Sequence, residues 1–334
     1  MVLYFMWQAL LHRSFSVPSL ANPTMENGGL WGESKLRLFE SMAPSGHRWL
    51  APYVSIVRGG RDDVEYDVRR ILGLAGQAGV NFPFVAKPDI GCKGNGVRVI
   101  RDAGELLRYV EGFPPRARLL AQRLVDDGGE AGIFYVRHPH EEMGRIFSIT
   151  LKYSPYVCGD GVSTLEQLIC ADTRAGRIAR LYLQRLKDRG KSIPGRGEKV
   201  RLLFVGNHCK GAIFRNGAEF ITPALTRRID EIAKAIPDFY FGRFDVRFSS
   251  LARLRSGEAF TVIEYNGGGS EATHIWDADT SLWAAYRDLF EQLRLIFAIG
   301  AANRRRGYKA DKWHQIVKAW WQQSRLMERY PENE

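Results

Sequence analysis

Two spacings of apolar residues alternate along the chain, one of period two and one near 3.6, and the alternation predicts an α+β fold. Short β-rich runs fall at 52–57, 82–86, 96–100 and 118–125. Two more, at 132–137 and 146–152, flank the polar turn HPHEEMGR and predict a hairpin. Further strands are expected at 200–205 and 212–214, and a pair at 243–248 and 259–265 is joined by a polar stretch containing Ser256 and Gly257. Helical spacing occupies 63–75, which opens with acidic residues as a helix dipole favours, and then 103–111, 163–186, 225–235 and 282–303. The last of these runs into Arg304, Arg305 and Arg306, with Gly307 as its stop. A final helix over 311–329 carries Trp313, Ile316, Val317 and Trp320 on one face, and that stripe is expected to dock on the body.

Two segments in the first fifty residues leave alternatives open. Residues 1–11, MVLYFMWQALL, are apolar but too short to span a bilayer, and they lack a basic leader and a small-residue cleavage site. They read either as an element tucked against the body or as a transient contact with a membrane surface. Residues 22–42 pass from a turn-rich segment with Gly28, Gly29 and Gly32 into a short amphipathic helix bearing Leu36, Phe39 and Met42. The free N–H groups at that helix start either receive an anionic substrate group or are simply capped.

Composition narrows the partners without choosing one. With 334 residues, 45% hydrophobic and 25% charged, the chain has enough apolar material for more than one lobe, and its net charge of +11 favours anionic ligands. Cys92, Cys158, Cys170 and Cys209 are scattered, without CxxC spacing, so neither a zinc site nor a disulfide framework is indicated and a cytoplasmic location is expected.

The stretch FPFVAKPDIGCKGNGVRVI concentrates the chemistry. Gly91, Gly94 and Gly96 are costly to order, and either a plain antiparallel turn or a bound anion would account for them. Lys87, at the end of an apolar run, and Lys93, within the loop, favour the anion. The spacing matches neither the P-loop nor the dinucleotide fingerprint. Far downstream, VIEYN places Glu264 and Asn266 two apart on a strand and so on one face, and hard oxygen ligands of that kind suit Mg²⁺. Asp245, in RFDVRF on the preceding strand, is the candidate third ligand.

Taken together, KPDIGCKGNGV, AQRLVDDGGE, the Arg243–Asp245 pair and the Glu264–Asn266 pair resemble the ATP-grasp superfamily over roughly 80–303. YVCGDGVSTLEQLI is similar to a segment of cyanophycin synthetase-like ligases, and the ending RxD…ExN is similar to that of D-alanyl-D-alanine ligases. The resemblance implies two α+β lobes holding ATP between them. It implies an N-terminal region over 1–80 that contributes to substrate binding, an ATP-grasp domain over 81–303, and a basic helical extension over 304–334. Lys87 would contact the ATP phosphates with Lys93, Gly94, Asn95 and Gly96 closing over them. Gln122, Leu124 and Val125 would line the adenine pocket, and Glu130 would hold the ribose. Lys152 would be a second phosphate contact, and Arg243 would stabilise transition-state charge. Asp245, Glu264 and Asn266 would hold Mg²⁺ or Mn²⁺. Gln122 stands where many relatives have an acid, and NGGGSE replaces the more usual NxxPG.

The expected activity is therefore ATP-dependent ligation of a carboxylate to an amine through an acyl phosphate, with Ser270, Glu271 and His274 as candidates for holding the amine-bearing partner. Nucleic acid is not the expected partner. Two other readings share much of the site: a kinase of the same superfamily acting on a hydroxyl, and a basic ATP-binding protein that works on nucleic acid or a membrane surface without turnover.

Overall fold

The computed structural model describes residues 1–60, 63–204 and 206–331. The chain begins with helix α1 (Val2–Leu11), passes through short turns to α2 (Lys35–Ser41) and α3 (Pro44–His47), and then enters the first sheet at β1 (Tyr53–Val57). Helix α4 (Val64–Gln77) precedes β2 (Phe84–Pro88) and β3 (Arg98–Ile100), and α5 (Ala103–Gly112) precedes β4 (Arg118–Arg123). These four strands form an antiparallel sheet in the order β1-β4-β2-β3. Both helices cover one face of it, because their apolar stripes, Val68, Ile71 and Ala75 on α4 and Leu106, Tyr109 and Val110 on α5, meet Phe84, Ala86, Leu119 and Ala121.

The second sheet has five antiparallel strands in the order β11-β10-β5-β6-β9. They are β5 (Gly129–Val136), β6 (Arg145–Tyr153), β9 (Ile213–Asn216), β10 (Phe241–Phe248) and β11 (Phe260–Asn266). Between β6 and β9 the chain forms a small unit of β7 (Tyr156–Cys158), α6 (Leu165–Ala171), α7 (Ala179–Arg185) and β8 (Lys199–Arg201) around Leu165, Ile169, Tyr182 and Val200. Helices α8 (Pro223–Lys234) and α9 (Leu251–Arg255) pack with α2 on one face of the sheet, against Ile133, Tyr135, Phe244 and Val246. Helix α10 (Leu282–Arg305) covers part of the other face, against Phe134, Val136 and Phe241. The alternation along β5, with odd residues toward one layer and even residues toward the other, is the period-two pattern read from the sequence.

The α+β, two-lobed plan is the one observed. Residues 1–80 share both cores, since β1 and α4 complete the first lobe and Leu38 and Phe39 of α2 pack under the second. Two expectations are corrected. The helical stretch 163–186 breaks at Asp172, whose side chain accepts from the N–H groups of Arg174 and Ala175, so α6 and α7 are separate. The strand expected over 200–205 is only Lys199–Arg201, and its last expected residue, Val205, lies outside the described residues.

The final helix, α11 (Trp313–Met327), docks on the body as expected. It buries Ile316 and Gln323, while Trp313, Val317, Trp320 and Trp321 remain about half exposed. Its anchors are polar and shape-specific: Gln323 Oε1 accepts from Gly32 N–H at 2.6 Å, and the Tyr330 hydroxyl beyond it donates to Ile90 O at 2.7 Å. The C-terminal segment therefore closes over the glycine-rich loop.

Candidate active site

Register places the chemistry. Across the second sheet Asp245 pairs with Gly132, which pairs with Thr150, and Arg247 pairs with Glu130, which pairs with Lys152. On the other side Asp245 pairs with Glu264 and Arg243 with Asn266. Strand partners share a face, so one uncovered half of the sheet presents Glu130, Lys152, Arg243, Asp245, Arg247, Glu264 and Asn266 together. Gly132 is what leaves room for them: a Cβ there would sit 3.0 Å from Arg243 Cδ and 3.2 Å from Asp245 Oδ1.

A bulge joins this face to the other lobe. Between Asp245 and Val246 the β10–β11 register skips Ile263, and the Ile263 carbonyl accepts from Lys87 Nζ at 3.1 Å. Lys87 Nζ also donates to Gln122 Oε1 at 2.7 Å, and Gln122 Nε2 donates to Ala51 O at 3.3 Å. Gln122, expected to line the adenine pocket through its backbone, spends its side chain on Lys87 and Ala51 O. Burial brings the Lys87 ammonium down to about 8, although the nearby Glu264 pulls it up.

The rest of the face is a network of ion pairs. Arg243 grips both oxygens of Asp245, Nε to Oδ1 at 3.0 Å and Nη2 to Oδ2 at 3.1 Å, and Lys152 Nζ reaches Oδ1 at 2.7 Å. Burial pushes the Asp245 carboxyl up, but Arg243 and Lys152 outweigh it and hold the group at about 2. Lys152 also lies 3.2 Å from Glu130, whose other oxygen meets Arg247 at 3.1 Å. Lys35 Nζ lies 3.4 Å from Glu264 and donates to Gly91 O at 3.0 Å, so it ties the glycine loop to the second sheet. Burial pushes the neighbouring Glu33 carboxyl up to about 7, against the pull of Lys35 and of the Gly267 N–H.

All these groups open into one cavity of about 620 Å³ between the lobes. Of the residues expected at a nucleotide site, Lys87, Lys93, Gly94, Asn95, Gln122, Leu124, Val125, Glu130, Lys152, Arg243, Asp245, Glu264 and Asn266 all line it. Gly96 does not. It turns away with φ +70°, its carbonyl accepts from the Tyr109 hydroxyl at 2.8 Å, and a Cβ on it would meet Pro88 Cγ at 2.7 Å. Its role is to let the loop fold tightly against β2. The loop does join adjacent antiparallel strands, so the plain-turn and anion-cradle readings describe the same piece of chain.

Of the candidates for the amine-bearing partner, Ser270 and Glu271 line the cavity, whereas His274 does not. Its ring is buried and Nε2 faces Asp288 at 2.9 Å. The cavity wall carries Lys35, Lys87, Lys93, Arg123, Lys152, Arg243 and Arg247 against Glu33, Glu130, Asp245, Glu264 and Glu271. That excess of cations suits a polyanion.

No protein-family model matches the chain, and no curated protein matches its sequence. Solved structures with a partial likeness include a D-alanine–D-alanine ligase from Bacillus anthracis, 13% identical over 82% of this chain and 68% of that one, with a TM-score of 0.45. Others are the VanG D-Ala:D-Ser ligase from Enterococcus faecalis (11% identity, 86% of this chain and 64% of that one, TM-score 0.44) and a bifunctional glutathione synthetase from Pasteurella multocida (16%, 78% and 36%, TM-score 0.38). The chain spans less than two thirds of the length of the last two.

Three residues of the site escape a sequence reading that looks for acids and glycines. Arg247 continues the period-two series Arg243–Asp245 and was visible in RFDVRF. Lys35 carried only the weak signal of a glycine-preceded helix start. Gln323 had none, because nothing local announces that a C-terminal helix returns to the cavity mouth.

Proposed function

We propose that the chain is an ATP-dependent carboxylate–amine ligase that works through an acyl phosphate. The observation that carries this reading is the meeting of Lys87 from one lobe with the Ile263 carbonyl of the other, next to Glu264, beneath a glycine loop and beside the Arg243–Asp245–Lys152 cluster. Phosphoryl transfer needs positioning and charge neutralisation more than covalent help from side chains, and the cavity supplies both.

In this reading the adenine lies against Leu124 and Val125, with Phe204 on the cavity wall, and the phosphates run toward Lys87 and the loop at Lys93. Asp245 and Glu264, with the Asn266 amide, form an all-oxygen donor set of the kind that binds Mg²⁺ through one or two carboxylates. Mg²⁺ or Mn²⁺ held there would neutralise phosphate charge. Arg243 and Lys152 pair with Asp245, and Lys35 lies 3.4 Å from Glu264, so the cations that would meet the phosphates neutralise the carboxylates that would hold the ion.

A carboxylate oxygen of the acid substrate then attacks the γ-phosphorus, and the bond to the β-bridging oxygen breaks to release ADP. The amine attacks the acyl carbon, and phosphate leaves as the amine loses its proton. Arg243, whose Nη1 also donates to Glu271 O at 3.1 Å, is placed to stabilise charge at the acyl centre.

The test is an assay with ATP, Mg²⁺, a pool of carboxylates and hydroxylamine, run beside Glu264→Ala. Hydroxamate and inorganic phosphate from the wild type alone are the expected result. ADP with a stable phosphorylated product would replace the ligase with a hydroxyl kinase, and tight ATP binding without turnover in any pool would leave the binding-protein reading.

A further inference from the structure

Helix α1 is divided along its length in an unusual way. Tyr4, Phe5, Gln8 and Ala9 face the body, where Tyr4 meets Phe290 with ring centroids 4.6 Å apart and Phe5 meets Phe297 at 5.3 Å. The opposite face, Val2, Leu3, Met6, Trp7, Leu10 and Leu11, is entirely apolar and exposed, with Leu3 at 86%. A helix apolar all round is ordinarily buried, and contiguous apolar surface of this kind marks a binding face. The first turns of α10 extend it, since Trp283 is 86% exposed and the Tyr286 ring lies tilted against Phe290, which Tyr4 also meets.

The surroundings are basic. At the C-terminal end of α1, His12 stacks on Phe297 and lies in the field of Arg304 and Arg305, and Arg13, Arg304 and Arg305 are exposed. The acids of α10 nearest the strip do not offset this collar: Asp288 is held by Arg287 at 2.9 Å and Glu291 by Arg294 at 2.6 Å. An apolar strip with tryptophans at its edge and arginines at its end matches the profile of a surface that lies in the headgroup layer of an anionic bilayer. At 10 residues, α1 is too short to cross one, and among the described residues no helix is long and apolar enough to do so.

We propose that α1 and the start of α10 form a docking surface for an anionic lipid membrane, holding the cavity-bearing body at that surface. The inference stands apart from the activity at the cavity, which lies elsewhere in the fold and uses none of these residues.

The experiment is flotation of the full chain with phosphatidylcholine vesicles, with and without phosphatidylglycerol, for wild type, Leu3→Glu/Leu10→Glu, Arg304→Gln/Arg305→Gln and Trp320→Glu. Thermal melts establish that each variant is folded. Wild type should float with the anionic vesicles only and be released by salt. The leucine pair should lower partitioning at least about tenfold, the arginine pair should lower it and flatten its salt dependence, and Trp320→Glu on α11 should leave it unchanged. Binding to neutral vesicles equally well, binding indifferent to the leucine pair, or no binding at all would overturn the proposal. So would light scattering that shows a dimer dispersed by Leu3→Glu/Leu10→Glu, since a second copy would then be what covers the strip.

Discussion

Lys87 donates to the carbonyl of Ile263, 176 residues away and on the other lobe, at 3.1 Å. The contact exists because a bulge drops Ile263 out of the β10–β11 ladder and frees its carbonyl. It gives a buried ammonium two uncharged acceptors, the Gln122 side chain and the Ile263 carbonyl. In the proposed ligase that charge serves the nucleotide phosphates. Lys87→Met should therefore weaken ATP binding at least about tenfold while shifting the melting temperature by only a few degrees, as losing one or two hydrogen bonds would. Isothermal titration calorimetry beside a thermal melt checks both, and retained ATP affinity would remove Lys87 from the site.

The same lysine predicts a pH dependence. Its ordinary value is 10.5 and burial brings it to about 8. Between those values the unfolded chain binds more protons than the folded one, so this group makes stability rise with pH across the window. ATP needs the charged form, so affinity should fall as pH rises through about 8, with proton uptake on binding above it. Calorimetry in two buffers of different ionisation enthalpy at pH 8.5 would show that uptake, and Lys87→Met should abolish it.

Asp245 carries the opposite sign. Its ordinary value is 3.8, and Arg243 and Lys152 hold it at about 2, so it contributes stability that is present above the ordinary value and lost as pH falls through about 2. Asp245→Asn leaves two buried cations without their shared partner, for a cost of about 3–5 kcal/mol. Acid unfolding should lose its steepest part in this variant, and Mg²⁺-dependent stabilisation by ATP should disappear with it.

Gly132→Ala tests the packing that aims the cluster. The added methyl would press on Arg243 Cδ at 3.0 Å, so the guanidinium must move away from Asp245. Turnover should fall by one to two orders of magnitude while ATP affinity changes little, since Lys87 and the loop are untouched. Single-turnover kinetics separate the two.

What was readable in the sequence and what was not divide along physical lines. Glu264 and Asn266, two apart on an apolar strand, and Lys87 before its glycines are local patterns, and local patterns survive without a structure. The pairing of Asp245 with Glu264 depends on register, and a bulge at Ile263 that no single residue type announces decides it. Helix α11 docks as expected and buries Ile316 of its stripe, but its anchoring contacts were hidden for a related reason. The tryptophan stripe was the strongest apolar signal on the helix, but the contacts that fix it are a glutamine and a tyrosine meeting backbone groups, and only the partner surface reveals those.

That docking supplies the last prediction. The Tyr330 hydroxyl donates to Ile90 O at 2.7 Å, its ring stacks on Phe113 with centroids 5.4 Å apart, and its Cβ crowds the position a side chain on Gly96 would need. The glycine loop is thus held at both of its ends by one residue that follows α11. Tyr330→Phe keeps the ring and removes only the hydrogen bond, worth about 1 kcal/mol, so the loop should open more often without the protein unfolding. Amide hydrogen exchange over residues 90–96 should speed up about fivefold, while exchange in β5 and β10 stays as it was. ATP should restore protection if the loop closes on phosphates, because the ligand then supplies the contacts the tyrosine has lost. Unchanged exchange in the variant would mean that Lys35, through its bond to Gly91 O, and Tyr109, through its bond to Gly96 O, hold the loop without Tyr330.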